Sequence, residues 1–547
     1  MCNETIPVLI VGAGPVGLTA SLLLAHQEIR SVLVERHSGT SIHPRAKGIN
    51  IRSMELFRLM GLEERIRAAG NELVDSTNWL FVETLAGREI RRVSRRSLFE
   101  PPPQLEQVSP TIGTLCAQNQ LEPLLVAEAH KLGCSLRFDT ELISFEQDEH
   151  GVSASVKENS TGAQYSIRAN YLLAADGASS RIRHLLGISM RGTEALSYHA
   201  NIYFRADLRE LVHERWFSMC FVQNPEARGV LAPVNNSDLW QFHAQYHPEK
   251  GSAFEDFTPA YCVELVRKVV GLSQLDVEIL SVLPWEAAMR VADHFQQDRV
   301  FLAGDAVHVM PPSGGFGLNT GVQDAHNLCW KLAAVINGPA SPALLTTYET
   351  ERRPVDQFTT EQAGLRIEGR GTPVQTTEQK KPERVDEIVV TIGYSYASPA
   401  VIEDDEVVPH TNMLDVSGCP GLRAPHVWLE RDGIRISTID LFDRHFVLLT
   451  GDKDTDWCET ARATAARLGF SLDTYRVGGA DADLVDVDGR WATAYGVLPG
   501  GAVIVRPDGF VGWRTKRFES PSQDKLEAVM RRLLCDSGSV AKTLGDT

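Results

Sequence analysis

The alternation of apolar and polar positions near the N-terminus predicts a strand, a glycine-rich turn, a helix and a second strand. Residues 8–11 form an apolar run, residues 18–27 show helical periodicity, and residues 31–35 form a second apolar run. Two strands joined through a helix form a βαβ unit, which implies a right-handed crossover and a parallel sheet. Residues 8–25 approach the length of a membrane span, but glycines, a proline and hydroxyl side chains interrupt them. We therefore interpret them as a buried strand and helix.

The pattern changes character twice further along the chain. Between about residues 180 and 290, β-like stretches replace the alternation of strands and helices, which predicts a sheet-containing domain inserted between two parts of the first domain. The predicted helices cover residues 53–69, 120–132 and 319–337. The predicted strands cover residues 135–138, 154–157, 171–175, 198–206, 216–222 and 239–247.

The last part of the chain predicts a separate compact unit. A helical pattern runs to about residue 370, and the polar, irregular residues 371–412 that follow suggest a linker. Beyond them the order is strand, helix, strand, hairpin, helix, which is that of a thioredoxin-like domain. These elements are predicted at residues 445–450, 456–468, 471–477, 502–506 with 510–514, and 522–534.

Composition narrows the classes of protein. The 547 residues are 43% hydrophobic and carry a formal charge of −17, as in an ordinary acidic globular protein. An excess of acidic groups argues against binding to nucleic acid or to anionic membranes, since both need a positive field. The nine cysteines are scattered without a CxxC pair, so the sequence predicts neither a zinc ribbon nor a disulfide framework, and favours the reducing cytoplasm.

The glycine-rich turn carries the first chemical signal. Residues 12–17 read Gly-Ala-Gly-Pro-Val-Gly, directly after a strand and at the start of a helix, and Glu35 ends the next strand. Glycines allow a pyrophosphate to approach the backbone, the helix N-terminus offers positive potential, and a carboxylate can accept hydrogen bonds from a ribose. The alternative is a tight turn in any βα unit. With strand, helix and acid all in place, we interpret the motif as a dinucleotide site, which leaves NAD(P) and FAD both open.

Two further motifs favour FAD over NAD(P), because they resemble those of a known protein family. Residues 175–183 read Ala-Asp-Gly-Ala-Ser-Ser-Arg-Ile-Arg, and residues 299–319 include Ala-Gly-Asp-Ala and Pro-Pro-Ser-Gly-Gly-Phe-Gly-Leu-Asn. In this order they resemble the aromatic-hydroxylase family of single-component FAD-dependent monooxygenases, typified by para-hydroxybenzoate and phenol hydroxylases. Residues 43–46, 53–56 and 118–123 are similar to its polyketide hydroxylase subgroup. Because residues 505–514 resemble the end of the family's thioredoxin-like domain, the resemblance covers essentially the whole chain.

The resemblance implies an α/β fold. It consists of a Rossmann-like FAD-binding domain with an inserted β-sheet substrate domain, as in para-hydroxybenzoate hydroxylase, and a C-terminal thioredoxin-like domain. We predict these domains at residues 1–180 with 285–395 (FAD), 181–284 with part of 72–115 as a further candidate (substrate), 396–412 (linker), 413–536 (thioredoxin-like, without CxxC) and 537–547 (flexible tail).

The resemblance also implies the cofactor contacts. The ADP half of FAD would lie against Gly12, Gly14, Pro15, Val16, Gly17, Glu35 and Arg36. The ribityl chain and phosphates would contact Arg45, Gln118 and Asp305, with Asp176 and Gly177 close to the pyrophosphate and to a transient NADPH site. The amides of Gly317, Leu318 and Asn319 would point at the flavin N1/C2 carbonyl, and Pro312 would lie beside the reactive edge.

The reaction implied by the resemblance is hydroxylation of a phenolic polycycle, such as a polyketide intermediate. NADPH or NADH reduces FAD, molecular oxygen adds at flavin C4a, and the hydroperoxide oxygen passes to an electron-rich ring. Baeyer–Villiger or epoxidising oxygen insertion stays open, as does a non-catalytic flavin protein that binds an aromatic ligand. The sequence leaves a homo-oligomer open. We expect no metal, since His43, His308 and His326 do not form a ligand set.

Several further candidates have both a functional and a structural interpretation. Arg366 and Arg370 could assist ionisation of a substrate phenol, although exposed, ion-paired arginines are the favoured alternative. Aromatic residues of the inserted region line either a substrate pocket or a plain core, and Trp240 and Phe242 among them share one face of a predicted strand. These residues are Tyr203, Trp216, Phe221, Trp240, Phe242 and Tyr246. Cys458 lies where a thioredoxin active site would, but Ala461 stands at the resolving position. The C-terminal domain is therefore predicted to serve packing or subunit contact rather than redox chemistry.

Overall fold

The computed structural model describes residues 4–94, 105–338, 340–368, 383–404, 414–452, 455–516 and 520–536. The predicted tail, Arg370, and residues 371–382 and 405–412 of the stretch predicted as a linker lie outside these ranges.

The strands fall into three large sheets and one two-stranded ribbon. In chain order they are β1 (Glu4–Val11), β2 (Ser31–Val34), β3 (Gly48–Ile49), β4 (Asn78–Val82), β5 (Glu89–Ser94), β6 (Thr114–Leu115), β7 (Ser135–Arg137), β8 (Thr140–Asp148), β9 (Gly151–Glu158), β10 (Gln164–Ala174), β11 (Met190–Arg205), β12 (Met219–Val222), β13 (Gly229–Pro233), β14 (Leu239–Tyr246), β15 (Glu278–Ala292), β16 (Gln296–Gln297), β17 (Val300–Leu302), β18 (His308–Val309), β19 (Trp428–Arg431), β20 (Ile434–Ser437), β21 (Phe446–Gly451), β22 (Leu472–Gly478), β23 (Leu484–Val485), β24 (Ala502–Val505) and β25 (Val511–Thr515).

The α-helices cover and connect these sheets. In chain order they are α1 (Pro15–His26), α2 (Ile51–Leu59), α3 (Glu63–Ala69), α4 (Gln118–Lys131), α5 (Arg181–Leu185), α6 (Arg209–Val212), α7 (Pro259–Val270), α8 (Phe316–Asn337), α9 (Ala343–Glu368), α10 (Glu387–Ile392), α11 (Thr455–Leu468), α12 (Trp491–Tyr495) and α13 (Gln523–Leu533).

The first sheet has the order β16-β17-β10-β1-β2-β7, with β8 and β9 attached beside β10. Strands β17, β10, β1, β2 and β7 run parallel, and helices α1 and α8 pack against one another beside them. Residues 8–10 are fully buried because both faces of β1 are covered, which explains their unbroken apolar run. The Rossmann-like fold expected from the sequence is confirmed.

One predicted helix is wrong. Residues 53–69 form two helices, α2 and α3, because Gly61 adopts a positive φ of 68° between them. Such a conformation ends a helix and favours glycine. The side chain of Asn50 caps α2 by accepting a 2.9 Å hydrogen bond from the Ser53 amide.

The second sheet has the order β18-β15-β11-β14-β13-β12-β4-β5. Its neighbouring strands are antiparallel, except for β4 and β12, which run parallel. One face packs against α7 to form a separate hydrophobic core. Strands β4 and β5 come from within residues 72–115, and β15 continues past residue 284 to Ala292. The exact domain limits stay a prediction.

The third sheet has the order β20-β19-β23-β22-β21-β24-β25. Strands β21 and β22 are parallel and β24 is antiparallel to β21, as in a thioredoxin-like fold, which confirms that part of the expected architecture. Strands β19 and β20 form a hairpin that the sequence pattern did not predict. The thiol of Cys458 and the side chain of Ala461 are both buried in the core of this unit, so they pack rather than face solvent.

A buried ionic network joins the third sheet to the FAD-type fold. Arg506, at the end of β24, donates hydrogen bonds of 2.7 and 2.8 Å to the carboxylate of Glu351 on α9. Lys331 of α8 donates to the same carboxylate at 2.7 Å, and Asp508 accepts hydrogen bonds from Arg506 and from the Trp330 indole. Because all these side chains are buried and mutually compensated, the C-terminal unit is an integral part of the molecule.

Among the described residues, no helix is both long enough and apolar enough to cross a membrane.

Candidate active site

Four of the predicted motifs meet at one edge of the first sheet. Residues 12–17 follow β1, Glu35 follows β2, residues 176–177 follow β10, and residues 304–305 follow β17. These four strands are neighbours and run parallel, so their carboxyl ends share an edge. Ligands of open α/β sheets bind at this edge.

The glycine-rich turn is tight at two glycines and open at the third. Gly12 has a φ of 106°, and a Cβ atom at this position would overlap the carbonyl oxygen of Ala175. A Cβ atom at Gly17 would overlap the carbonyl oxygen of Gly12. A Cβ atom at Gly14 would meet no atom within 4 Å. Gly14 therefore borders open space at the start of α1.

Helix α1 begins at Pro15 with no acidic residue in its first turn. Its first amides and its dipole thus offer positive potential to the space beside Gly14. The side chain of Val16 packs against Gly304 and Gly321. A Cβ atom added at Gly304 would lie 2.8 Å from this side chain, and one added at Gly321 would lie 2.6 Å from it. This contact holds the glycine-rich turn, the loop after β17 and helix α8 against one another.

The acid after β2 already has partners within the protein. Glu35 accepts a 2.8 Å hydrogen bond from the Ala13 amide and a 3.0 Å hydrogen bond from the His37 amide. Its neighbour Arg36 is exposed, and the Arg36 carbonyl accepts from the Asn159 side chain. Glu35 therefore braces the glycine-rich turn, while the guanidinium of Arg36 faces solvent at the same edge.

The motif after β10 presents an unpartnered carboxylate oxygen. Asp176 accepts a 3.2 Å hydrogen bond from the Ile182 amide through Oδ2, whereas its buried Oδ1 has no partner among the described residues. Gly177 follows with a φ of 83°. Arg183, at the end of the motif, is buried and donates a 2.9 Å hydrogen bond to the Ala306 carbonyl. It thereby joins the second motif to the third.

Arg45 and Gln118 lie on two segments that approach this edge. The Gln118 amide donates to the Ala46 carbonyl at 2.8 Å, and its side chain donates to Glu122 at 2.7 Å. Arg45 is exposed, and its charge stabilises the carboxylates of both Glu122 and Asp305. Arg45 is thus close to Asp305, which is itself exposed at the end of β17.

Helix α8 begins at this site with a free N-terminus. Its N-cap, Gly315, has a φ of 67°, and the first turn contains no acidic residue. Helix geometry leaves the amides of Gly317 and Leu318 without an acceptor, whereas the amide of Asn319 bonds back towards Gly315. The Asn319 side chain donates to the carbonyls of Gly48, at 2.9 Å, and Gly315, at 2.7 Å. Of the three predicted donors, Gly317 and Leu318 are available to a ligand.

Pro312 and Arg366 flank the start of α8. Pro312 is exposed just before the helix, in a position to border a ligand. Arg366 is buried and donates to the Gln362 and Val385 carbonyls at 2.8 and 2.6 Å, so the expectation of an exposed arginine is wrong. Its guanidinium lies 5.2 Å from the ring centre of Phe316, the first residue of α8. Arg366 therefore supports the start of α8 from α9.

A buried cluster supports the loop after β17 from below. Asp324 accepts hydrogen bonds from the Gly304 amide at 3.0 Å and from Arg352 at 2.8 Å. His308, Asp324 and Asp356 lie close enough together to hold a metal ion, but Arg352 also donates to Asp356 at 2.9 Å and so compensates both carboxylates. The arrangement fits an ion network that fixes the position of Gly304.

The second sheet turns one face away from α7, and we call it the inner face. Opposed residues of neighbouring strands share a face, so Trp79, Phe81 and Phe221 lie on the inner face. The Phe221 ring is 4.7 Å from that of Phe81 and 5.7 Å from that of Trp79, between centroids. All three side chains are only partly buried. They form an aromatic floor, of which the sequence analysis singled out only Phe221.

The other end of the inner face is polar. Gln241 and Asn201, with Tyr203 and His243 opposite them, lie on the same face of β14 and β11. Gln241 is fully buried, yet both polar atoms of its amide have no partner among the described residues. The Asn201 Oδ1 atom is likewise buried and unpartnered. Buried amides without partners indicate that a ligand or ordered water completes their hydrogen bonds.

The inner face meets the edge of the first sheet through the segment that carries Arg45. The rings of His43 and Tyr203 touch edge to face, with centroids 5.8 Å apart. The Nζ atom of Lys47 donates a 2.5 Å hydrogen bond to the Pro233 carbonyl at the end of β13. The predicted cofactor edge and the inner face therefore belong to one site.

The aromatic residues predicted for the pocket are divided between the two faces of the sheet, since Phe221 and Tyr203 lie on the inner face and Trp240 and Phe242 on the other. Trp240 and Phe242 are fully buried against α7, and the Trp240 indole donates to the Ala206 carbonyl at 3.0 Å. They form plain core. Sequence reasoning missed Trp79, Phe81 and Lys47, although the alternation of Trp79 with Leu80 and Phe81 with Val82 already separates two faces of β4.

The site fits a bound dinucleotide. Gly14 leaves open space beside α1, and both α1 and α8 present N-termini without acidic residues. At the same edge, the buried Oδ1 atom of Asp176 has no partner among the described residues. Phosphates bind at such helix N-termini because the free amides and the dipole attract negative charge.

Comparison with known proteins identifies the class. The sequence profile described as "FAD binding domain" matches residues 5–363, and that described as "Aromatic-ring hydroxylase, C-terminal" matches residues 417–536. The chain therefore belongs to the family of FAD-dependent aromatic-ring hydroxylases.

Individual relatives refine the comparison. The chain is 41% identical to 4-methyl-5-nitrocatechol 5-monooxygenase of a Burkholderia species, over 97% of this chain and 98% of that protein. It is 38% identical to tetracenomycin A2 monooxygenase-dioxygenase of Streptomyces glaucescens, over 98% of each. The crystal structure of aklavinone-11 hydroxylase in a ternary complex with FAD and aklavinone matches with a TM-score of 0.89 and 36% identity, covering 98% of this chain and 100% of that one. The resemblance to the polyketide hydroxylase subgroup, expected from the sequence, is confirmed.

Proposed function

We propose that this protein is an FAD-dependent, NAD(P)H-consuming monooxygenase that hydroxylates a phenolic polycycle derived from a polyketide. Family membership and the bound ligands of the aklavinone-11 hydroxylase structure support the cofactor and the class of substrate. FAD, when bound, supplies the activation of molecular oxygen that amino-acid side chains do not provide, with electrons from NADPH or NADH.

The chain's own residues would bind and orient. The open space at Gly14 would accept the pyrophosphate, and Gly12 and Gly17 would keep the backbone close to it. Arg36 and Arg45 would contribute positive charge, while Asp305 and Gln118 would offer hydrogen bonds to the ribityl chain. The amides of Gly317 and Leu318, with the helix dipole behind them, would stabilise negative charge on the reduced ring system.

The aromatic floor is the observation that carries the substrate class. Trp79, Phe81 and Phe221 offer a broad, partly exposed stacking surface on the face that meets the cofactor edge. A fused-ring ligand would bury this surface and exclude water from the site, which favours oxygen transfer over loss of the oxidant. A small phenol would cover only part of the floor.

The reaction is tested with isotopically labelled oxygen. The FAD-loaded protein is given NADPH, ¹⁸O₂ and a panel of hydroxyanthraquinones, and products are analysed by mass spectrometry. Hydroxylation predicts one labelled oxygen in an intact ring system and NADPH oxidation that the substrate accelerates. A ring-expanded lactone would instead support Baeyer–Villiger insertion, and an epoxide the epoxidising alternative. Tight binding without NADPH oxidation would support the non-catalytic binder.

Two further assignments accompany this proposal. The cysteines of the described residues are free, which supports a reducing cytoplasmic location. A homo-oligomer is compatible with the proposal, and sedimentation of the purified protein would measure the number of subunits.

A further inference from the structure

The polar end of the inner face contains a partly buried lysine. Lys47 lies two residues after Arg45 on the segment that borders the cofactor edge, and its ammonium donates to the Pro233 carbonyl of the second sheet. Its side chain thus crosses from the first sheet's edge to the second sheet. A single carbonyl satisfies one of the three donors of an ammonium group, which leaves two donors for a ligand.

The groups around Lys47 are basic. His43 and Arg45 come from its own segment, His243 from β14, and His199 from β11. Lys47 is close enough to His43 and His243 for its charge to act on both, and His199 acts on His243. Among the described residues, the largest electrostatic influences on these three histidines come from Arg45, Lys47 and other histidines. The neighbouring hydroxyl of Tyr203 is on β11, where its ring contacts His43.

The polar end of the inner face also contains buried polar atoms whose hydrogen bonds a ligand could complete. Gln241 is fully buried, both atoms of its amide lack a partner within the described part of the chain, and it shares the inner face with His243. Asn201, opposite His243, has an unpartnered buried oxygen. Amides beside a basic cluster can donate to an anionic oxygen and also accept from a neighbouring hydroxyl, which matches a hydroxylated ring edge.

We propose that Lys47 is the base that ionises the substrate. In the proposed step, the neutral amine of Lys47 takes the proton of a phenol bound at the polar end of the inner face. The O–H bond breaks, an N–H bond forms, and the phenolate stays paired with the new ammonium. The ring thereby becomes electron-rich where oxygen is to be added. This inference rests on the proposed function and assigns it a catalytic residue.

The electrostatics of the cluster support this role. Burial lowers the pKa of Lys47 to about 7, so a substantial fraction of the amine is neutral at physiological pH. Burial lowers the pKa of His43 and His199 to about 4 and that of His243 to about 3, so all three stay neutral there. Lys47 therefore changes charge near neutrality while its histidine neighbours do not. A phenol, with a pKa near 10 in water, ionises in the site only if a cation forms beside it.

The experiment follows the ionisation of a bound phenol directly. The FAD-loaded full chain, without NAD(P)H, is titrated from about pH 5 to 10 with 1,8-dihydroxyanthraquinone bound, since its visible band moves to longer wavelength on ionisation. We expect the unmodified protein to lower the pKa of the bound phenol, and Lys47→Met to raise the bound pKa by at least one unit, a tenfold change in ionisation constant. Lys47→Arg keeps a positive charge, so it should bind the phenolate without the lysine's own titration step.

The controls separate this inference from the proposed function. Lys250→Met changes an exposed lysine of the inserted region and should leave the spectrum unchanged. Retained FAD in each variant shows that the fold persists. If Lys47→Met fails to fold, Lys47→Arg supplies the comparison with the unmodified protein. Equal phenol pKa values in the unmodified protein and Lys47→Met would overturn the role of Lys47 alone. Failure of the unmodified protein to bind the dye would contradict both the substrate class and this inference.

Discussion

The backbone amide of Asn50 donates a 2.9 Å hydrogen bond to the side-chain oxygen of Asn319. The first residue caps α2, and the second lies in the first turn of α8, where it also donates to the Gly48 and Gly315 carbonyls. One buried amide therefore fixes the start of the helix whose free amides point into the site. Its loss should act on the cofactor as well as on the fold.

Asn319→Ala tests this relationship. The change removes three side-chain hydrogen bonds, to backbone groups of Gly48, Asn50 and Gly315, so we expect a loss of about 2–3 kcal/mol in unfolding free energy. We also expect FAD to bind at least tenfold more weakly, because the amides of Gly317 and Leu318 lose their fixed position. Thermal unfolding and fluorescence titration of the apoprotein with FAD measure the two effects. Asn337→Ala, at the exposed end of the same helix, is the control, and equal FAD affinity in both variants would contradict the role of Asn319.

Gly14→Ala and Gly17→Ala distinguish a ligand-facing glycine from a packing glycine. Gly14 has an ordinary φ of −70°, and an added methyl group would meet open space, so the apoprotein should keep its stability within about 0.5 kcal/mol. FAD affinity should fall at least tenfold, since the methyl group occupies the space assigned to the pyrophosphate. Gly17→Ala would overlap the Gly12 carbonyl and should lower both stability and affinity. Full FAD affinity in Gly14→Ala would refute the assigned position.

Phe221→Ala and Trp240→Ala compare the two faces of the second sheet. Phe221 stacks against Phe81 on the partly exposed inner face. Its removal should therefore raise KM for fused-ring substrates several-fold with little change in the free energy of unfolding. Trp240 is fully buried in the core, so its removal should cost about 3–5 kcal/mol. Steady-state kinetics and denaturant unfolding separate the two outcomes. A KM unchanged in Phe221→Ala would show that the substrate does not lie on the aromatic floor.

The pKa of Glu55 predicts how the stability of the junction with the C-terminal unit decreases in acid. Burial alone would raise the pKa of Glu55, but Arg423 and Arg52 together lower it to about 2 from an ordinary 4.5. A carboxylate with a depressed pKa contributes stability that is complete above pH 4.5 and is lost as the pH falls towards 2, by about 3 kcal/mol in total.

Glu55→Gln should remove that pH dependence while it lowers stability at pH 7 by about 3–5 kcal/mol, because two buried arginines lose their counter-charge. Denaturant unfolding between pH 7 and pH 3 measures both effects. Glu64→Gln, on an exposed position of α3, should behave like the unmodified protein. An acid dependence in Glu55→Gln as steep as in the unmodified protein would show that other carboxylates cause it.

The cofactor edge could be predicted because its signals are local. The turn at residues 12–17, its flanking strand and helix, and Glu35 lie within one βαβ unit, so spacing alone orders them. The motifs at residues 176–177 and 304–305 each follow a short apolar run at the end of a strand. Parallel strands then bring all of these loops to the same edge, whatever the order of the strands.

The inner face could not be predicted in the same way. Alternation showed that Trp240 and Phe242 share a face, but which face meets α7 depends on pairing between distant strands. The burial of Arg366 likewise depends on Val385, which lies beyond a long polar segment. Lys47 carried no pattern at all, since its environment comes from β13 and β14 of another sheet.

The parallel pairing of β4 with β12 has a consequence for the newly made chain. Trp79 and Phe81 gain their partners Met219 and Phe221 only after residues 83–218 have been synthesised. At ribosomal rates that interval lasts about ten seconds. During it, the β4–β5 hairpin leaves a row of aromatic side chains and an unpaired strand edge in solvent. This hairpin is therefore open to aggregation and to holdase chaperones while translation continues.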